Sequence, residues 1–225
     1  MTQNLPTHLG FIVDGNRRWA KARNLPTLEG HRKGFKKVEM VAEQMIDAGV
    51  KYVSFYLFST ENWNRSKEEV AYLMDLLRTQ IMGMVKKLKK QDVRCVVLGT
   101  TERVAPDILE KLHQAEESTK DCQRGTICIC FNYGGQQEIA EAAAAAAQDG
   151  DVTIESINSH LYHPEVPACD MIIRTSGEQR ISNFVLWRAA YSEFMFIKKP
   201  FPAMQKSDIP KILAEYSSRQ RRFGH

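Results

Sequence analysis

The sequence predicts an α/β fold, a central and mainly parallel sheet of six strands flanked by helices. Three observations carry that prediction. Apolar runs of strand length alternate along the chain with stretches of helical period, the pattern of βα units whose sheet is covered by helices on both faces. The chain has 225 residues, enough for one sizeable core and rather large for two. Its composition, 43% hydrophobic and 26% charged, is that of an ordinary globular protein.

Each element follows in order. Residues 8–13 read as a first strand that ends on Asp14. Phe35, Val38, Ala42, Met45 and Ile46 fall on one helical face, which Gly49 closes. Residues 50–58, "VKYVSFYLF", read as a buried strand. Ser66 opens "SKEE", a capping box with Glu69, ahead of a long helix to about Lys90. "DVRCVVLG" is a third strand, 106–118 a helix and "TICICF" a fourth strand. The Ala-rich "EAAAAAA" is a strong helix former, and a short helix is expected near 154–161. "DMIIR" is the fifth strand and "EFMFI", from Glu193, the sixth. A last helix runs from about Ser207 toward Arg219. No repeat or flexible linker interrupts the series, so residues 1–225 are expected to form a single domain.

The bulk numbers narrow the function. A net charge of +4 is too small to argue for nucleic acid, and aromatic residues are sparse beside Arg219, Arg221 and Arg222. The balance instead permits a local basic site for an acidic small molecule. The five cysteines form no CxxC pair, and Cys128 and Cys130 alternate as same-face residues of a strand would. They read as plain buried thiols in a reduced, cytoplasmic compartment. The N-terminus has no basic region ahead of an apolar stretch, and no run reaches the ~20 apolar residues that span a bilayer. Any membrane contact is expected to be peripheral.

Polar residues collect at three predicted strand ends. In open α/β sheets, ligands bind beyond the carboxyl ends of the strands. The first cluster is Asp14, Gly15, Asn16, Arg17 and Arg18, followed by Trp19. Glycine lets backbone approach a ligand, helix-start N–H groups bind anions, and arginines suit phosphate oxygens. An acid among them repels phosphate unless a divalent cation lies between, as Mg²⁺ does with one or two carboxylates and substrate phosphates. A structural Asp–Arg ion pair fits the same spacing equally well. The second cluster runs from Ser59 to Arg65. The third holds Arg174 and Arg180 with hydroxyls at Thr175, Ser176 and Ser182, which reads as a diphosphate clamp or as a solvated basic loop. Glu193 is either a second metal ligand or an acid at an element end, and His31 in "EGHRKG" lies within reach of the same rim. No HExxH, Walker A, nucleophile elbow or DDxxD is present.

"HLGFIVDGNRRWAK", "EGHRKG", "FSTENWNRSKEEV", "FNYGG" and "RTSGEQRISNFVLWRAAYSEF" resemble the successive motifs of the cis-prenyltransferases. Undecaprenyl and dehydrodolichyl diphosphate synthases belong to that family. The resemblance is collinear over nearly the whole chain. It implies the family's α/β fold, distinct from the all-α fold of trans-prenyl synthases, and a homodimer. It implies Mg²⁺-dependent joining of isopentenyl diphosphate to an allylic diphosphate, with a new Z double bond and release of diphosphate. Asp14 is then a metal ligand that helps the allylic group ionise, with Glu193 a second ligand. Gly15, Asn16, Arg17, Arg18 and Trp19 cradle the allylic diphosphate, with His31 nearby. Arg174, Arg180 and Ser182 hold isopentenyl diphosphate. Ser59 and Asn62 orient the substrates and remove the proton, and Trp63 and Arg65 support their loop. Arg222 to Gly224 match an arm that reaches the isopentenyl site across the dimer.

The pattern also has departures. Thr27 stands where many members carry an arginine, so one charge-assisted bond worth ~1.5–3 kcal/mol is missing or supplied by another cation. Gln179 occupies a position that is His in some bacterial members. Leu57 stands where long-chain synthases often have Ala, and its bulk implies a wall that limits the product to short or medium length. A haloacid-dehalogenase-type phosphatase would need a second acid where Asn16 stands. A non-catalytic partner subunit would characteristically lack the DGN motif, which is intact here.

Overall fold

A computed structural model describes residues 5–219. The strands are β1 (His8–Ile12), β2 (Tyr52–Ser59), β3 (Val93–Leu98), β4 (Gly125–Tyr133), β5 (Met171–Thr175) and β6 (Glu193–Ile197). They form one six-stranded sheet in the order β3-β4-β2-β1-β5-β6. Every neighbouring pair is parallel, so the sheet is wholly rather than mainly parallel. The helices are α1 (Asn16–Lys21), α2 (Thr27–Asp47), α3 (Lys67–Lys90), α4 (Pro106–Thr119), α5 (Gly135–Asp149), α6 (Ile154–His160) and α7 (Ile209–Ser218).

Strand alternation divides the interior into two cores. Leu9, Phe11, Val53, Phe55, Ile127 and Ile129 face the larger one, with the apolar stripes of α2, α3, α4 and α7. There Phe11 stacks on Phe55 at 5.4 Å, and Phe201 meets Phe55 edge-on at 6.5 Å. Ile12, Tyr56, Cys128, Cys130 and Ile172 face the smaller core, with Phe184 and Val185. Cys128 and Cys130 do share a face. Four of the five thiols are buried, whereas Cys122 is only half-buried, because it sits in the turn before β4 rather than inside a strand. No helix among the described residues is long and apolar enough to cross a membrane.

The helix boundaries show where pattern reading falls short. α2 begins at Thr27, eight residues before the first apolar residue of the expected stripe. Its first two turns pack on α1 through Gly30 and Gly34 rather than through apolar side chains, so they carry no hydrophobic period. α1 has six residues and one buried side chain, too little to show any period. The Ser66 capping box forms by half: Ser66 Oγ accepts from Glu69 N–H at 3.3 Å, while the Glu69 carboxylate reaches across to α2.

Candidate active site

The three polar clusters follow β1, β2 and β5, which are adjacent in the sheet order β2-β1-β5. Parallel strands all end on one rim, so these loops meet there. They enclose a pocket of about 1090 Å³, lined by residues 12–18 and by Lys21, Asn24, Leu25, Thr27 and His31. Tyr56, Leu57, Ser59, Glu61, Asn62, Arg65, Arg174, Arg180, Ser182 and Asn183 complete the lining. The lining includes four aliphatic residues, Ile12, Val13, Leu25 and Leu57, and six cations (Arg17, Arg18, Lys21, Arg65, Arg174 and Arg180).

Asp14 is the pivot. Its Oδ1 accepts from Gly15 N–H at 2.6 Å and Arg18 Nη2 at 3.1 Å, and its Oδ2 from Arg174 Nη2 at 2.9 Å and Nε at 3.3 Å. Burial opposes its ionisation, but the hydrogen bonds and charge of Arg174, with Gly15 and Arg18, outweigh that and hold its pKa below the ordinary value. The carboxylate is therefore charged. Thr175 fixes its backbone, accepting from Asp14 N–H at 3.0 Å and donating to Asp14 C=O at 2.7 Å. The hydroxyl expected in a diphosphate clamp is thus used inward. Gly15 has φ 95°, and a Cβ there would lie 2.5 Å from Ser176 Oγ, so no larger residue fits this turn. The ion-pair reading of the first cluster is realised within the chain.

Arg174 is buried and does more than pair with Asp14. Its Nη1 donates to Arg180 C=O at 2.6 Å and Ser182 Oγ at 2.7 Å, closing the loop after β5 on itself. Glu178 accepts from Arg18 at 2.9 Å and from Arg180 at 2.6 Å, linking the first and third clusters. Asn183 donates to Glu61 at 2.8 Å and accepts from Gln136 N–H at 2.8 Å, tying this loop to the one after β2 and to the first turn of α5.

On the α2 side, Asn16 is lodged where a Cβ on Gly30 would meet its C=O at 2.0 Å and one on Gly34 its Oδ1 at 2.4 Å. His31, between those glycines, donates from Nε2 to Glu69 Oε1 at 3.1 Å. Burial pushes the His31 pKa down, with Glu69 partly opposing, so the ring is neutral at pH 7. In the β2 loop a 3-10 turn spans Thr60–Asn64. Ser59 N–H donates to Asn62 Oδ1 at 3.3 Å, placing both side chains at the pocket. Thr27 also lines the pocket, as do the cations Lys21 and Arg17.

Some expected residues are not brought in. Glu193 pairs in register with Met171, which is level with Leu9. That puts it at the opposite rim, five strand residues below Asp14 or roughly 16 Å at ~3.3 Å per residue. It binds Arg219 at 2.8 Å instead. Glu193 is thus not a second ligand beside Asp14 of the same chain, because parallel pairing sends a strand's first residue away from the carboxyl rim. Trp19 does not line the pocket: Arg23 lies 4.5 Å over its ring. Trp63 packs edge-on to Phe58 at 5.1 Å and donates to Asn132 Oδ1 at 2.7 Å, bracing the loop from behind. Arg222 to Gly224 lie outside the described residues. Glu178, given no role from sequence, and Glu69, read there only as a cap, prove to organise the cations, while Glu61 and Asn183 join the loops. A preponderance of arginines near one rim is the only hint the sequence gives that such acids must exist.

A divalent cation such as Mg²⁺ needs hard oxygen donors. No cluster of three or more His, Cys, Asp or Glu side chains stands ready for one among the described residues. Asp14 nevertheless offers a charged, hard-oxygen ligand that opens on the cationic pocket, and Mg²⁺ commonly takes one carboxylate and completes its shell with water and phosphate. The residues fit a cation that arrives with a diphosphate.

Comparison with known proteins gives one answer. Residues 12–224 match the prenyltransferase family model described as undecaprenyl diphosphate synthase. An isoprenyl transferase of Thermotoga maritima is 43% identical over 98% of this chain and 97% of its own. A trans,polycis-polyprenyl diphosphate synthase of Thermobifida fusca, (2Z,6E)-farnesyl diphosphate specific, is 41% identical over 98% of this chain and 81% of its own. The crystal structure of lavandulyl diphosphate synthase from Lavandula x intermedia, in complex with dimethylallyl diphosphate, superposes with a TM-score of 0.93 at 32% identity, covering 98% and 99% of the two chains. Matched by the family model over residues 12–224 and sharing its fold and nearly its full length with these enzymes, this chain belongs to the undecaprenyl diphosphate synthase family of prenyltransferases.

Proposed function

We propose that the protein is a Mg²⁺-dependent cis-prenyltransferase, one catalytic domain over residues 1–225. It would condense isopentenyl diphosphate with an allylic diphosphate to give a Z-prenyl diphosphate. The observation that carries this reading is the pocket itself, a cationic rim around Asp14 whose lining also includes the aliphatic residues Ile12, Val13, Leu25 and Leu57. Such a site suits a substrate with a multiply charged head and a hydrocarbon tail. In the reaction the allylic C–O bond breaks, a C–C bond forms to isopentenyl diphosphate, one proton leaves the condensed carbon skeleton, and diphosphate departs.

The residues divide that work. Asp14 would hold the cation, with Arg18, the more exposed of its two arginine partners, turning to phosphate. The cation would supply electrostatic stabilisation of the leaving diphosphate. Gly15, Asn16, Arg17, Arg18 and His31 would cradle the allylic head, and Arg174, Arg180 and Ser182 the isopentenyl head. Ser59 and Asn62 would orient the reacting ends and take part in proton removal. Trp63 and Arg65 would keep that loop in place. Support for an allylic substrate comes from the named relatives, one specific for (2Z,6E)-farnesyl diphosphate and one crystallised with dimethylallyl diphosphate. A cytoplasmic homodimer with peripheral membrane contact belongs to the same reading. Phe194 and Phe196, 37% and 39% exposed and stacked at 6.2 Å on edge strand β6, offer a surface that a second copy would cover.

The test is incubation of the protein with Mg²⁺, labelled isopentenyl diphosphate and a panel of allylic diphosphates, for wild type and Asp14→Ala. Metal-dependent elongation, abolished by chelation and reduced at least about a hundredfold in the variant, is expected. Label incorporated equally by both proteins, or by neither with any primer, would overturn the proposal.

A further inference from the structure

Glu69 is buried, its side chain 11% exposed, in the first turn of α3, and it does not line the pocket. Its three charged or polar partners all do. Oε1 accepts from His31 Nε2 of α2 at 3.1 Å and from Arg65 Nη1 of the β2 loop at 3.0 Å. Oε2 lies 3.8 Å from Arg17 Nη1 of α1. One carboxylate therefore gathers side chains from three elements onto one side of the site. A buried acid is costly unless it is hydrogen-bonded, and here the donors that satisfy it are pocket residues. In a conventional capping box this carboxylate would turn back to its own N-cap. The neutral His31 ring can meet the carboxylate only with its Nε2 proton, so Glu69 also selects the ring's tautomer.

We propose that Glu69 is a positioning residue that holds His31, Arg65 and Arg17 in the arrangement that receives the allylic diphosphate. It would act through those three and touch no substrate. This rests on the prenyl-transfer reading of the same site. The alternative is a structural tie of α3 to α2, which would affect stability and leave binding alone.

The two separate in a steady-state comparison of wild type, Glu69→Ala, Glu69→Gln and Ser66→Ala, with thermal unfolding of each. Removing the carboxylate should raise KM for the allylic diphosphate about tenfold or more, the scale of one lost charge-assisted hydrogen bond. KM for isopentenyl diphosphate should stay within about twofold. The amide of Glu69→Gln keeps the shape and one acceptor and should recover part of the loss. Ser66→Ala weakens the same helix start without touching the carboxylate, and should lower the unfolding midpoint with both KM values unchanged. Equal KM values in wild type and Glu69→Gln, or a parallel rise for both substrates, would overturn the proposal. Should wild type fail to elongate, the function fails on its own. Calorimetric titration with inorganic diphosphate and Mg²⁺ would then still judge Glu69, since the proposal requires weaker binding in both Glu69 variants.

Discussion

Under the proposed function, Leu57 is the single side chain expected to limit the product. It follows Tyr56 near the end of β2, half-buried, packs against the larger core and lines the same cavity as Asp14 and Arg174. A growing tail would gain roughly 0.8 kcal/mol for each buried CH₂, so on that reading extension would continue until it met a wall. Leu57→Ala should shift the product distribution toward longer chains, read by chromatography of the dephosphorylated products; an unchanged distribution would show that the wall lies elsewhere. Roles of this kind were unevenly legible. The arginines and Asp14 stood out because charge at the end of an apolar strand is unexpected. Glu61, Glu69 and Glu178 did not, because acids in loops and first helical turns are ordinary until their partners are known.

Among the elements, the pairing of α1 with α2 sets the side of the site proposed to receive the allylic diphosphate. Gly30 and Gly34, one turn apart, remove side chains where α1 presses in, and Asn16 Oδ1 has no hydrogen-bond partner there among the described residues. Gly34→Ala would put a methyl group 2.4 Å from that oxygen, forcing α1 outward. Overpacking of this sort costs about 1–3 kcal/mol. The expected result is a lower unfolding midpoint together with weaker allylic binding, since Asn16, Arg17 and Arg18 ride on α1; Gly83→Ala, where a Cβ meets nothing within 4 Å, should do neither. The sequence revealed the strands and the long helices because their burial is periodic. It hid α1 and the start of α2 because contact through glycine leaves no apolar pattern.

At the scale of the whole molecule, the smaller core carries a pH dependence. His8 is fully buried; its Nδ1 donates to Pro167 C=O at 2.8 Å and its Nε2 accepts from Ser54 Oγ at 2.7 Å. Burial pushes its pKa down to about 4. Between that value and the ~6.5 of the unfolded chain, the unfolded state binds more protons, so stability falls as pH falls through this window. From pH 7 to pH 5 the loss is about 2 kcal/mol. His31 adds to it, whereas His163, raised by Glu116 and Glu165, contributes stability at low pH that fades as pH rises through its folded pKa. Urea unfolding of wild type and His8→Asn at both pH values isolates the His8 share; identical slopes would refute it. The sequence by itself determined the α/β class, the strands and the acidic and basic residues of the site, because burial period and charge at strand ends are local properties of a chain. Only the tertiary structure decided that β2, β1 and β5 lie side by side, that Glu193 falls on the far rim and that Glu69 joins three elements, because strand order and register arise from packing between segments distant in sequence.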